Sequence, residues 1–133
     1  SNTAKRTISA NVGKVHNISD RRKLNANTLR EIFLDAKSAR PFFSKEEEGA
    51  APYRFVLMGD DPKIIPILFQ ALNKAGLPVE SWPDLPPEIR ACPEDHVNAF
   101  NLREKLIFLP VHHSISASDL ERLFSKNPSL QNI

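Results

Sequence analysis

The sequence predicts a small α/β domain of two layers, in which helices cover a small sheet. Segments with helical periodicity alternate with short apolar segments typical of strands, in the order helix, strand, helix, strand, helix, strand, helix. The chain of 133 residues, with 41% hydrophobic and 26% charged residues, also has the size and composition of one soluble globular domain.

The first helix is predicted to begin near Ser19, which is a plausible N-cap, and to end just before Pro41. Residues 1–17 have little periodic apolar content, so we expect them to form a lead-in arm and residues 18–133 to form the domain. The apolar positions of the helix recur every three or four residues: Leu24, Leu29, Ile32, Phe33 and Ala36. The acidic run Glu46–Glu48 after it is interpreted as a solvated loop.

The segment Tyr53–Met58 is the clearest strand, because its run of aromatic and β-branched residues is closed by turn-forming residues. A second helix is predicted from Pro62 to Ala75, with Gly76 as its stop signal. A short second strand is predicted at Leu77–Trp82, and Pro78 within it indicates a sheet edge.

Residues 83–93 are dense in proline and are interpreted as a loop too stiff for a helix. A short helix from about Glu94 to Arg103 leads into a third strand at Lys105–Val111. This strand is apolar on both faces, which indicates a central, covered position in the sheet. The spacing of Ser116 and Asp119 is close to that of a capping box and predicts the start of a final helix.

The composition excludes several function classes. The net charge of +2, from 18 basic and 16 acidic residues, does not indicate nucleic-acid binding, and no apolar run is long enough to span a membrane. The single cysteine, Cys92, cannot form an internal disulfide and has no basic neighbour that would activate it as a nucleophile. A lone thiol fits the reducing cytoplasm, which is the location that we predict.

The pair His112-His113 is the strongest chemical candidate in the sequence. It leaves a buried strand and precedes a helix, a place where α/β folds often position functional groups. Neighbours on an extended chain point to opposite faces, so one metal ion cannot take both rings, and we expect one exposed and one packed imidazole. The sequence contains no glycine-rich phosphate loop, dinucleotide fingerprint or serine elbow, and therefore no complete active site.

The stretch Lys105–Leu123, KLIFLPVHHSISASDLERL, resembles the C-terminal end of the DegT/StrS-type aminotransferases, which are fold-type I enzymes dependent on pyridoxal phosphate. Its moderately specific element is the strand end Leu-Pro-Val-His. Upstream segments resemble the family in the same order: the helix ISDRRKLNANTLREIF, the strand PYRFVLMG and the passage LPVESWP. The likeness covers roughly residues 18–125.

The resemblance implies that the chain is the C-terminal small domain of such an enzyme. The implied fold is α/β (α+β): a two-layer sandwich with a small, three- to four-stranded, mainly antiparallel sheet and helices mainly on one face. The implied cofactor is pyridoxal phosphate, held by a lysine in the large domain of the same polypeptide, and the implied parent enzyme is a homodimer.

By match to the family motif, His112 is placed nearest the substrate, and Trp82 in the adjoining wall of the site. No lysine of the sequence has the family's Schiff-base context, so we expect no catalytic, cofactor-binding or metal-binding residue here and no activity without the large domain. We expect the first helix to pack across the sheet or to extend away from it. In the second case Leu24, Leu29 and Phe33 would form an exposed apolar stripe that needs a partner.

Two points stay open at this stage. The aromatic Trp82 is not followed by the histidine that many family members carry there, which leaves a sugar-nucleotide substrate undecided. The chain also fits a stand-alone α/β binding or interaction module without catalysis, with the proline-rich loop and the basic first helix as its contact surface. The chain begins at Ser1 without an initiator methionine, so we expect it to be a piece of a longer protein that continues upstream.

Overall fold

A computed structural model describes residues 2–43 and 50–131, with side chains described from residue 14 onward. The acidic run Glu46–Glu48 lies outside the described residues. Within the described ranges four strands form one sheet: β1 (Ala39–Pro41), β2 (Arg54–Gly59), β3 (Glu80–Ser81) and β4 (Leu106–Pro110). Their order is β1-β2-β4-β3, and every neighbouring pair is antiparallel. The predicted small antiparallel sheet is confirmed, with β4 central and β3 at an edge.

The described part of the chain also contains five α-helices: α1 (Asn2–Ile32), α2 (Ile64–Lys74), α3 (Pro87–Ala91), α4 (Val97–Lys105) and α5 (Ala117–Lys126). Two short 3₁₀ turns, Pro93–His96 and Pro128–Gln131, complete the structure. None of the helices in the described residues is long and apolar enough to cross a membrane.

The core lies between the helices and one face of the sheet. Alternate residues of the two central strands point into it, because side chains alternate between the faces of a strand. The buried members on this face are Phe55, Leu57, Ile107 and Leu109. The opposite face carries the half-buried Val56 and its register partner Phe108. The expected placement of the helices mainly on one face is therefore confirmed.

Helix α1 differs from the sequence prediction at both ends. It begins at Asn2 rather than Ser19, so residues 2–17 are helical rather than extended, because helix propagates cheaply from a turn that is already formed. It ends at Ile32 because Ala39–Pro41 pair with β2, and an edge strand tolerates a proline. The separation of residues 1–17 from the domain stays a prediction.

The buried side of α1 packs on α5. Leu29 and Phe33 are 0% and 1% exposed, and the Phe33 ring meets Phe124 edge-on with 5.3 Å between centroids. Leu24, by contrast, is 57% exposed. Of the two expected placements of the first helix, packing on the domain is the one observed at Leu29 and Phe33, and an exposed stripe of all three side chains is not formed.

The proline-rich segment was predicted to be too stiff for a helix, and this is wrong at Pro87–Ala91, which form α3. Pro87 occupies the start of the helix, where its missing N–H has no intrahelical partner to lose. Pro86 before it is extended, with ψ 150°, as expected for a residue that precedes proline. Two adjacent prolines therefore start a helix here rather than prevent one.

Local signals set the ends of α2 and α5. Gly76 has φ 93°, a left-handed conformation that only glycine adopts cheaply, and it ends α2 as predicted. Ser116 is the N-cap of α5, and its Oγ accepts a hydrogen bond from the Asp119 N–H at 3.1 Å. The Ser116 hydroxyl in turn donates to the Asp119 carboxylate at 2.6 Å, and this bond lowers the pKa of Asp119.

Replacement of the cap is expected to destabilise the domain. Ser116→Ala removes the acceptor for the Asp119 N–H, and the loss of an N-cap typically costs about 1 kcal/mol of unfolding free energy. Ser125→Ala, at an exposed position of the same helix, should change the free energy by less than about 0.5 kcal/mol. Urea denaturation of both variants measures the difference, and equal stabilities would contradict the capping role.

Candidate functional site

A cavity of about 540 Å³ lies at the edge of the sheet where β4 ends and β2 and β3 begin. Its apolar wall comes from α5 and from the segment before β3, with Leu77, Leu120 and Leu123 as the leucine members. Its polar lining includes His112 and Ser114 from the turn between β4 and α5. The cavity therefore combines an apolar surface with polar groups that can orient a small ligand.

A buried amide fixes the turn that carries the histidines. Asn25 of α1 is 1% exposed, and its Nδ2 lies 2.9 Å from the carbonyl oxygen of Ile115, 3.2 Å from that of His112 and 3.4 Å from that of Val111. The amide has two hydrogens, so the three carbonyls share them. These carbonyls belong to a turn and lack a sheet partner for their bonds, so Asn25 supplies the donor that the turn needs.

His112 is in the lining of the cavity, and its side chain is exposed. Its Nδ1 accepts a hydrogen bond from the backbone N–H of Ser114 at 3.3 Å and lies 2.8 Å from the Ser114 hydroxyl. The ring is therefore held through Nδ1, and Nε2 is the ring nitrogen without a bond to this turn.

His113 is half-buried, and its ring centroid lies 4.0 Å from that of His112 with an angle of 43° between the planes. The expectation that the two rings face opposite ways is wrong, because the extended strand ends at Pro110. A tight turn follows, closed by a 3.0 Å bond from the Ile115 N–H to the His112 carbonyl, and it turns both rings to the same side. The expected contrast between an exposed and a packed imidazole is confirmed.

The surroundings of His113 oppose its protonation. Burial lowers the pKa of His113, and the neighbouring His112 and the positive charges of Arg22 and Arg21 lower it further. Its Nδ1 is buried and has no hydrogen-bond partner among the described residues. Protonation of His113 is therefore disfavoured beside His112 and the two arginines of α1.

An ion pair closes another side of the cavity. Arg54 at the start of β2 donates from Nε and Nη2 to the Glu80 carboxylate at 3.0 and 2.8 Å, reaching across β4. These hydrogen bonds raise the pKa of Arg54 and lower that of Glu80. The guanidinium also lies 4.4 Å from the centroid of the Tyr53 ring. This side of the cavity therefore contains a charged group that is already neutralised.

Trp82, the second predicted site residue, lies just after β3 on the sheet face that carries Phe108. Its ring packs on Phe108 with 5.4 Å between centroids, and the residue is 37% exposed. It is not part of the cavity lining formed by the described residues, so the structure does not bring Trp82 and His112 into one cavity. The substrate roles of both residues stay predictions.

The residues that sequence reasoning missed are Asn25, Ser114 and the Arg54–Glu80 pair. For Asn25 a signal was present, because it lies four residues before Leu29 on the buried side of the helix. A polar residue on an apolar stripe requires a partner, which the sequence alone does not name. The ion pair joins residues 26 positions apart and left no local pattern.

Comparison with known proteins gives a match at the level of structure. No protein-family model matches the sequence, and no curated protein matches it. The fold, however, is that of a domain of aminotransferases. Spr1654 of Streptococcus pneumoniae, assigned as a sugar aminotransferase, superposes in its PMP form with a TM-score of 0.74 and 16% identity, over 92% of this chain and 33% of that chain.

The aminotransferase TlmJ of Streptoalloteichus hindustanus superposes with a TM-score of 0.72 and 16% identity, over 92% of this chain and 34% of that chain. This chain thus spans about a third of the length of the structures that it matches. At these identities the likeness establishes the fold, and it confirms the predicted resemblance to an aminotransferase domain at that level.

The lowered pKa of His113 predicts a pH-dependent stability. The unfolded chain binds a proton at His113 more readily than the folded chain, so the free energy of unfolding should fall as the pH drops below about 6.5. Glutamine has no titratable group, so between about pH 7.5 and 5.5 the free energy of unfolding of His113→Gln should fall less than that of the wild type. Asp119 and Glu80, with lowered pKa values, titrate below this window.

Urea denaturation at a series of pH values measures this effect. His16→Gln, which removes an exposed histidine of α1, is the matched control and should follow the wild type. Parallel stability curves for the wild type and His113→Gln would show that His113 has no part in the pH dependence.

Proposed function

We propose that this chain is the C-terminal domain of a DegT/StrS-type aminotransferase that depends on pyridoxal phosphate. The observation that supports this most is the position of the Leu109-Pro110-Val111-His112 strand end. It leads from the central strand of an aminotransferase-like fold directly to a cavity with His112 in its lining.

The described lining of the cavity does not fit the role of holding the cofactor. A cofactor imine requires a lysine amine, and no lysine lines the cavity formed by the described residues. The large domain of the same polypeptide is proposed to hold pyridoxal phosphate and to carry the cofactor chemistry. This domain is then inactive by itself, and no reaction step is assigned to its residues.

The proposed contribution of this chain is to bind and enclose the substrate. His112 would contact a polar group of the substrate, and the leucine wall would exclude water from one side of it. The neutralised Arg54–Glu80 pair offers no net charge, so recognition on that side would depend on shape and hydrogen bonds. Trp82, on the sheet face that carries Phe108, would contribute to an adjoining wall when the domains meet.

The substrate and partners belong to the same proposal. A nucleotide-linked keto-sugar is the proposed amino acceptor, supported by the assignment of the structural neighbour Spr1654 to sugars. The parent enzyme is proposed to be a cytoplasmic homodimer. Specific binding of a small ligand by this chain without the large domain would instead favour the stand-alone binding module.

The chain by itself should form no specific imine with pyridoxal phosphate. Because no lysine lines the cavity, borohydride reduction after incubation should give only low, scattered labelling of surface lysines. Absorbance spectroscopy and peptide mapping by mass spectrometry measure the result. A stoichiometric imine on one defined lysine would contradict the assignment of cofactor binding to another domain.

His112→Ala should reduce the activity of the parent enzyme without unfolding this domain. The loss of one hydrogen bond to the substrate should lower kcat/KM by about tenfold, while the stability of the 133-residue chain changes by less than about 1 kcal/mol. His113→Ala is the matched control and should reduce kcat/KM less. If His112→Ala unfolds this chain but leaves the activity per folded enzyme unchanged, His112 has a structural role only.

A further inference from the structure

The ring of His112 is held in one orientation by its own turn. The Ser114 N–H points to Nδ1 at 3.3 Å, a contact that requires a lone pair on Nδ1. The Ser114 hydroxyl, 2.8 Å from Nδ1, can donate to that lone pair, and it would accept in the other tautomer. The backbone contact favours the neutral tautomer with its proton on Nε2, in which His112 offers an N–H donor on the side away from Ser114.

The turn that holds the ring is itself held from α1. The carbonyl of His112 accepts from the Ile115 N–H at 3.0 Å and from Asn25 Nδ2 at 3.2 Å. Asn25 also bonds the carbonyls on either side of the histidine pair, those of Val111 and Ile115. The buried side chain of Asn25 thus bonds the turn at His112 and on both sides of it, although Asn25 and His112 are 87 positions apart in the sequence.

Asn25 is one of several contacts of this turn. Val111 belongs to the core, Ile115 packs against it, and the Ile115 N–H bonds the His112 carbonyl within the turn. The apolar packing at Leu29, and at Phe33 just beyond the helix, is separate from the Asn25 amide. Removal of the amide is therefore expected to loosen the polar hold on the turn while this apolar packing stays.

We infer that Asn25 is a positioning residue that holds the turn so that His112 presents Nε2–H to an oxygen acceptor of the ligand. The acceptor would be a carbonyl, hydroxyl or phosphate oxygen, since each accepts a hydrogen bond from a neutral imidazole N–H. The role of His112 towards a substrate rests on the proposed function, whereas its tautomer and the hold of Asn25 on the turn do not.

The test is nitrogen NMR of the His112 ring in the 133-residue chain near pH 7.5, without cofactor or ligand. The wild type should show a protonated Nε2 and an unprotonated Nδ1. In Asn25→Ala the chemical shifts of both ring nitrogens should move towards the averaged values of a ring that exchanges between its two tautomers. The amide hydrogen of Ile115 should exchange with solvent at least about tenfold faster than in the wild type. Asn27→Ala, on the exposed side of the same helix, is the matched control and should leave both measurements unchanged.

Each outcome decides the inference. Averaged tautomers in the wild type would overturn it, as would a folded Asn25→Ala variant with an unchanged His112 ring and Ile115 amide. If the alanine variant does not fold, Asn25→Ser, which keeps one donor, is measured in the same way. Unfolding of both would make Asn25 a stability residue and reject the positioning role. None of these measurements depends on enzyme turnover, so they test the role of Asn25 independently of whether the proposed aminotransferase activity is found.

Discussion

The arrangement of the candidate site depends on one buried carboxamide. Asn25 brings a donor into the apolar contact between α1 and the rest of the domain, and three carbonyls of the turn after β4 converge on it. The His112 carbonyl also accepts from the Ile115 N–H, but those of Val111 and Ile115 depend on this donor, and the loss of a donor in a buried or half-buried place costs free energy that a domain of marginal stability does not tolerate well. The first helix and the end of the central strand are therefore parts of one unit, although they are far apart in the sequence.

The elements that the sequence predicted correctly are those with local causes. Ser116 and Asp119 satisfy each other across one turn, Gly76 supplies a conformation that other residues avoid, and β4 is apolar on both faces because it is central. The errors lie where distant contacts decide. The end of α1 depends on the pairing of β1 with β2, and the direction of the His113 ring depends on the turn beyond Pro110.

The sequence predicted the candidate site in part, as it did the secondary structure. The family motif identified His112, and the structure places it at a cavity, but the groups that orient it come from other parts of the chain. Asn25 and Glu80 reach the site only through the packing of α1 and the pairing of β3, neither of which leaves a short-range pattern. Sequence reasoning therefore named His112, which lies at the cavity, and missed the residues that hold it.

The two edges of the sheet have a consequence for how copies of the chain behave beside one another. An open sheet with long, unpaired edge strands can recruit a strand from a neighbouring molecule. Here the edge strands have three and two residues, β1 ends in Pro41, and Pro78 lies just before β3. Proline donates no backbone hydrogen bond, so neither edge offers a continuous row of donors and acceptors. Short edges bounded by proline disfavour the addition of a strand from a neighbouring molecule, and with it edge-to-edge aggregation at high concentration.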